Sequence, residues 1–72
     1  MEKDKDIDLI NLGQRIREIR VKMGMTQAEL AQSSGIACNY IAMLERGERN
    51  PTYKVLLKVA GGCGISLCEL IK

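Results

Sequence analysis

Few side chains of this 72-residue chain could do covalent or metal chemistry. Cys38, Cys63 and Cys68 stand at no metal-ligand spacing, and the sequence has no histidine. A structural zinc site takes about four Cys or His ligands, so neither a metal nor a cofactor is expected. A Cys or Ser nucleophile would lack its usual imidazole base, and no pair of acids falls in an apolar setting that would tune it. These absences argue against an enzyme. What remains is hydrogen-bonding chemistry, carried by amides and guanidinium groups in and beside one stretch, Thr26 to Gly47 (TQAELAQSSGIACNYIAMLERG). That stretch reads as helix, tight glycine turn, helix. Its second helix keeps a polar, exposed face that the fold itself does not need.

The charge balance fits a non-covalent role. A net charge of +2 conceals an asymmetry. Residues 1–10 carry Glu2, Asp4, Asp6 and Asp8 against two lysines, and the remaining residues carry nine bases against five acids. The body is therefore basic, which permits a polyanionic partner without requiring one. The acidic start lacks the apolar core of a signal peptide, and no apolar run approaches the ~18 residues of a membrane span. A reduced, cytoplasmic protein without membrane association is expected.

The elements that must position the central stretch follow from spacing. Seventy-two residues make one domain, modest in the surface it can bury. Residues 1–8 (MEKDKDID) read as a frayed, solvated tail, and 9–72 as the domain. Leu9, Leu12, Ile16, Ile19 and Met23 recur every three or four residues, which places them on one face of a first helix that Gly24 ends. Thr26 and Glu29 form a capping box at the start of the second helix. Leu30 and Ala31 face inward, Gly35 turns the chain, and Ile36, Ile41 and Leu44 carry the apolar stripe into a third helix over 37–46. Gly47 stops that helix, and Glu48-Arg49-Asn50-Pro51 is a loop, with Asn50 held extended by the proline. Thr52 caps a fourth helix, with Tyr53, Leu56, Ala60 and Cys63 at helical spacing. Its end is weakened by the glycines of the Gly61–Gly64 cluster, each costing about 1 kcal/mol against alanine. Ile65 is a core residue, and Ser66 and Glu69 open a short fifth helix.

The segment LGQRIREIR…MTQAELAQSSGI…YIAMLERGERNP…LLKVA…GISLCELI resembles the lambda-repressor/Cro-like, XRE-type helix-turn-helix family over residues 12–71. The motifs T-Q-x-x-L-A, the turn glycine, I-x-x-L-E-x-G, R-N-P and I-S-x-x-E-L occur together at the family's spacings. The Y-I-x-x-x-E-R-G-x-R-N-P block is also similar to the controller proteins of restriction-modification systems. The resemblance implies an all-α fold, a compact five-helix lambda-repressor-like DNA-binding domain, with its third helix in the major groove of double-stranded DNA.

It also implies residue roles. Gln27 matches a position that clamps a backbone phosphate, where free N–H groups and the helix dipole favour an anion. Cys38, Asn39, Tyr40 and Met43 match base-facing positions. Asn39 leads these, since Asn can pair in bidentate fashion with adenine. Tyr40 either meets sugar and phosphate or packs against the second helix. Cys38 and Met43 depart from the polar residues usual there, and Ala37 replaces a Ser or Thr cap, a loss of about 1 kcal/mol. Modest base discrimination follows, with backbone contacts and DNA shape contributing more. Arg46, Arg49 and Asn50 match the loop that lies along the phosphates, with Lys54 assisting. Arg20 and Glu45 match an ion pair tying the first helix to the end of the third.

Family members of this length bind as twofold dimers, so a sequence-specific transcriptional regulator acting as a homodimer on a (pseudo)palindromic operator is expected. Val55, Leu57, Leu67 and Ile71 are apolar residues that the core does not need, and are candidates for the dimer face. No small-molecule ligand is evident. A competing expectation is a module that uses the same fold to hold a protein partner. A third is a redox switch through Cys63 and Cys68.

Overall fold

The computed structural model describes residues 7–71, and every described element is a helix: α1 (Ile7–Lys22), α2 (Gln27–Ser34), α3 (Cys38–Glu45), α4 (Tyr53–Cys63) and α5 (Leu67–Ile71). Residues 1–6 of the expected tail lie outside the described residues. Its last two positions do not belong to a tail, because α1 already includes Ile7 and Asp8. An Asp in the first turn suits the positive end of the helix dipole.

The helices close on one core of Ile16, Ile19, Leu30, Ala31, Ile41, Leu44, Val59, Ala60, Cys63 and Leu70. The α2–α4 and α1–α3 packings are the most extensive in the fold. Two glycines permit this closeness. A Cβ on Gly13 would run into the backbone carbonyl oxygens of Leu44 and Glu45, so α1 seats directly on the end of α3. A Cβ on Gly62 would strike the Ser34 hydroxyl and crowd Leu30 on α2. Gly62 therefore does more than loosen the end of its helix.

Two expected stripe residues face solvent. Met23 is 48% exposed, because α1 ends at Lys22 and the chain turns away. Met25, beyond the turn, packs on the core in its stead. Tyr53 is 68% exposed at the first position of α4, and the buried seam of that helix is Val59, Ala60 and Cys63 with Leu56 beside it.

The local signals act as written. The Thr26 hydroxyl accepts from the Glu29 N–H at 3.0 Å, and the Glu29 carboxylate accepts from the Thr26 N–H at 2.8 Å. Thr52 accepts from the Val55 N–H, and Ser66 from that of Glu69, each at 3.2 Å. Gly35 turns α2 into α3 at φ 72°, a left-handed conformation that costs a side-chain-bearing residue strain. The Ile36 N–H then reaches back to the Ala31 carbonyl at 3.0 Å. The same turn recurs after α1, α3 and α4: a glycine at φ 75° is followed by a residue whose N–H bonds five residues back.

Candidate nucleic-acid interface

Thr26 satisfies the Glu29 N–H and its carbonyl takes that of Leu30. The N–H groups of Gln27 and Ala28 are left without an intrahelical partner at the start of α2. At the start of α3, Ala37 makes no side-chain cap, and its carbonyl accepts from Tyr40 and Ile41. The N–H groups of Cys38 and Asn39 are likewise left over. Cys38 and Asn39 are exposed on the first turn of α3, while Met43 is half-buried on the second. Tyr40 is half-buried against the core, which is the packing alternative for its ring.

The far end of α3 is anchored by one carboxylate. Arg20 Nε donates to Glu45 Oε2 at 2.6 Å and its terminal nitrogen to Oε1 at 3.1 Å, a two-pronged pair with side chains only 11% and 4% exposed. The other prong of the guanidinium donates to the Met25 carbonyl at 2.9 Å. Hydrogen bonding to Glu45 raises the Arg20 pKa against the opposing effect of burial, so the guanidinium is held charged. Gln27 Nε2 donates to the same Glu45 Oε1 at 3.0 Å. Glu45 thus joins α1, the start of α2 and the end of α3.

In that loop Arg49 and Asn50 are exposed, as is Lys54 at the start of α4. Arg46 is not a free cation. Its Nε and a terminal nitrogen donate to the two Glu48 oxygens at 3.0 and 3.1 Å, with both side chains more than half exposed. The signal for this pair is local, an arginine and a glutamate two residues apart across the turn glycine. The Gln27–Glu45 bond, across 18 residues, left no local trace.

Among the candidate dimer residues, Leu57 and Ile71 are 43% and 54% exposed. Val55 and Leu67 are half-buried and pack on the core, so only their outer edges face outward. Cys63 is buried, and burial pushes its thiol pKa up, with the Glu45 charge acting in the same direction. A thiolate is the reactive form, so the arrangement opposes a redox switch at Cys63. Cys38 and Cys68 are exposed. No described helix is long and apolar enough to cross a membrane.

A capped helix, a left-handed glycine and a second helix with an exposed first turn define a helix-turn-helix domain. The Helix-turn-helix family model matches residues 16–70, and the chain belongs to the XRE-type helix-turn-helix family of DNA-binding transcriptional regulators. It is similar to the restriction-modification controller protein C.AhdI from Aeromonas hydrophila, with 40% identity, 90% of this chain and 98% of that one covered, and a TM-score of 0.88. It is 38% identical over 60 residues to an uncharacterised HTH-type transcriptional regulator of Sinorhizobium fredii, covering 83% of this chain and 78% of that protein. It is 36% identical over 62 residues to the immunity repressor protein of Bacillus phage phi105, covering 86% of this chain but only 43% of the repressor.

Proposed function

We propose that this chain regulates transcription as a homodimer, each copy setting α3 into the major groove of one half of a pseudopalindromic operator. The observation that carries the reading is the Gln27–Glu45 bond at 3.0 Å. It ties the start of α2 to the last residue of α3, which supports a reading in which the N–H groups opening α2 and the basic loop after α3 both take backbone phosphates while the exposed first turn of α3 enters the groove. In this reading Gln27, Arg46, Arg49, Asn50 and Lys54 grip the backbone. Asn39 reads bases, Cys38 and Met43 offer apolar contact to thymine methyls, and Tyr40 contributes by packing under the turn. Leu57 and Ile71, with the outer edges of Val55 and Leu67, form the self-association face. The likeness to C.AhdI along nearly the whole length of both chains favours control of a restriction-modification pair.

Footprinting on DNA upstream of the coding sequence, with sedimentation of the free and bound protein, tests this. The expected result is protection of two half-sites about one helical turn apart by two copies of the chain. About eight phosphate contacts per dimer give a slope of log affinity against log salt near about −7. Absence of any protected site at low salt would overturn the reading. Leu57→Glu with Ile71→Glu is expected to yield monomers that no longer protect the site.

A further inference from the structure

Four turns in this fold share one geometry, and one of them breaks the chemical pattern. After Gly24, Gly35 and Gly64 the next residue is Met25, Ile36 or Ile65, each packed on the core. An apolar contact at this position commonly locks such a turn. After Gly47 the next residue is Glu48, an exposed carboxylate. Its N–H is tied to the Met43 carbonyl at 2.9 Å, which fixes its backbone as firmly as in the other three turns. The carboxylate is thereby held against Arg46 with two hydrogen bonds, in the fork geometry a phosphate would otherwise occupy. No basic residue lies between Met25 and Glu45, so Arg46 is the first cation that the helix-turn-helix offers to a backbone.

We propose that Glu48 is an internal phosphate mimic that occupies Arg46 and so sets the sequence-independent affinity of this chain for DNA. Resting on the DNA-binding reading above, this makes Glu48 a residue that governs specificity without touching a base. Binding to non-matching DNA is almost wholly electrostatic. A backbone phosphate must displace the Glu48 carboxylate from Arg46 and tolerate its charge nearby, which reduces the counterions released. Occupancy of a genome full of competing sites is held down by that exchange.

The test is a double-mutant cycle with a long random-sequence duplex, followed by fluorescence anisotropy across about 50 to 200 mM salt. Glu48→Gln is expected to bind more tightly and to steepen the log–log salt slope by about 0.9, an additional fall of about 3.5-fold over that range. Glu48→Asp keeps the charge and is expected to keep the slope near that of the unaltered chain. Arg46→Ala is expected to weaken binding more in the Glu48→Gln background than alone, because only there is the guanidinium unoccupied. An unchanged slope in Glu48→Gln, or strictly additive effects of the two substitutions, would overturn the proposal while leaving the DNA-binding reading intact. Failure of the unaltered chain to bind any duplex at low salt would overturn both.

Discussion

Gln27 and Glu45, 18 residues apart, meet through a 3.0 Å hydrogen bond that sets the start of α2 against the end of α3. The accepting carboxylate is already engaged by Arg20 from α1. Stability and the placement of Gln27 therefore depend on one side chain, and they can be separated. Glu45→Gln removes the charge opposite a guanidinium that is only 11% exposed and keeps just the Met25 carbonyl as a full partner, and should cost about 3 to 5 kcal/mol in urea unfolding. Gln27→Ala leaves the ion pair whole and should cost below about 2 kcal/mol, while DNA affinity falls. Equal stability losses in the two variants would show that Gln27 is structural only.

Asn39 stands exposed on the first turn of α3 with its neighbour Cys38. Asn39→Ala should lower affinity by about 1 to 3 kcal/mol for the operator and flatten preference at one base position. Binding measured across all single-base operator variants reads this directly. An unaltered preference profile would remove Asn39 from base reading.

Two glycines should respond in opposite directions to alanine. At Gly13 the new methyl would press on the carbonyl oxygens of Leu44 and Glu45, which belong to the backbone and cannot step aside. Gly13→Ala should destabilise by about 1 to 3 kcal/mol. At Gly61, inside α4, a Cβ meets nothing within 4 Å. Gly61→Ala should stabilise by up to about 1 kcal/mol through helix propensity. Thermal unfolding of the pair checks both signs.

Burial raises the Cys63 thiol pKa in the folded chain above that of the unfolded chain, where it is about 8.5. The unfolded state therefore releases this proton first as pH rises. Stability present below pH 8.5 should be lost from about there until the folded thiol titrates, at no more than about 1.4 kcal/mol per pH unit. Urea midpoints against pH should fall less steeply in Cys63→Ala. Thiol titration of the native protein should show Cys38 and Cys68 reacting promptly and Cys63 only after unfolding.

How legible this protein was in its sequence depended on the range of each signal. The capping boxes, the Gly35 turn and the apolar pairs Ile16–Ile19 and Ile41–Leu44 are local, and three- and four-residue spacing shows them as they stand. The same periodicity misplaced Met23 and Tyr53, because it describes a face of a helix and not where that helix leaves its neighbours. The Arg20–Glu45 pair came from family resemblance, not spacing, since nothing local joins positions 25 apart.

The sequence by itself determined five helices, a glycine turn and a polar, exposed face on the third helix, because caps, glycines and apolar period act within a few residues. Only the tertiary structure decided which polar groups are already spoken for. Gln27 is held by Glu45, Arg46 by Glu48, and a terminal nitrogen of Arg15 by the Glu69 carbonyl 54 residues away. A hydrogen bond requires its atoms within about 3 Å, and apart from the short Arg46–Glu48 link, that proximity is created by packing α1, α2, α3 and α5 on a common core.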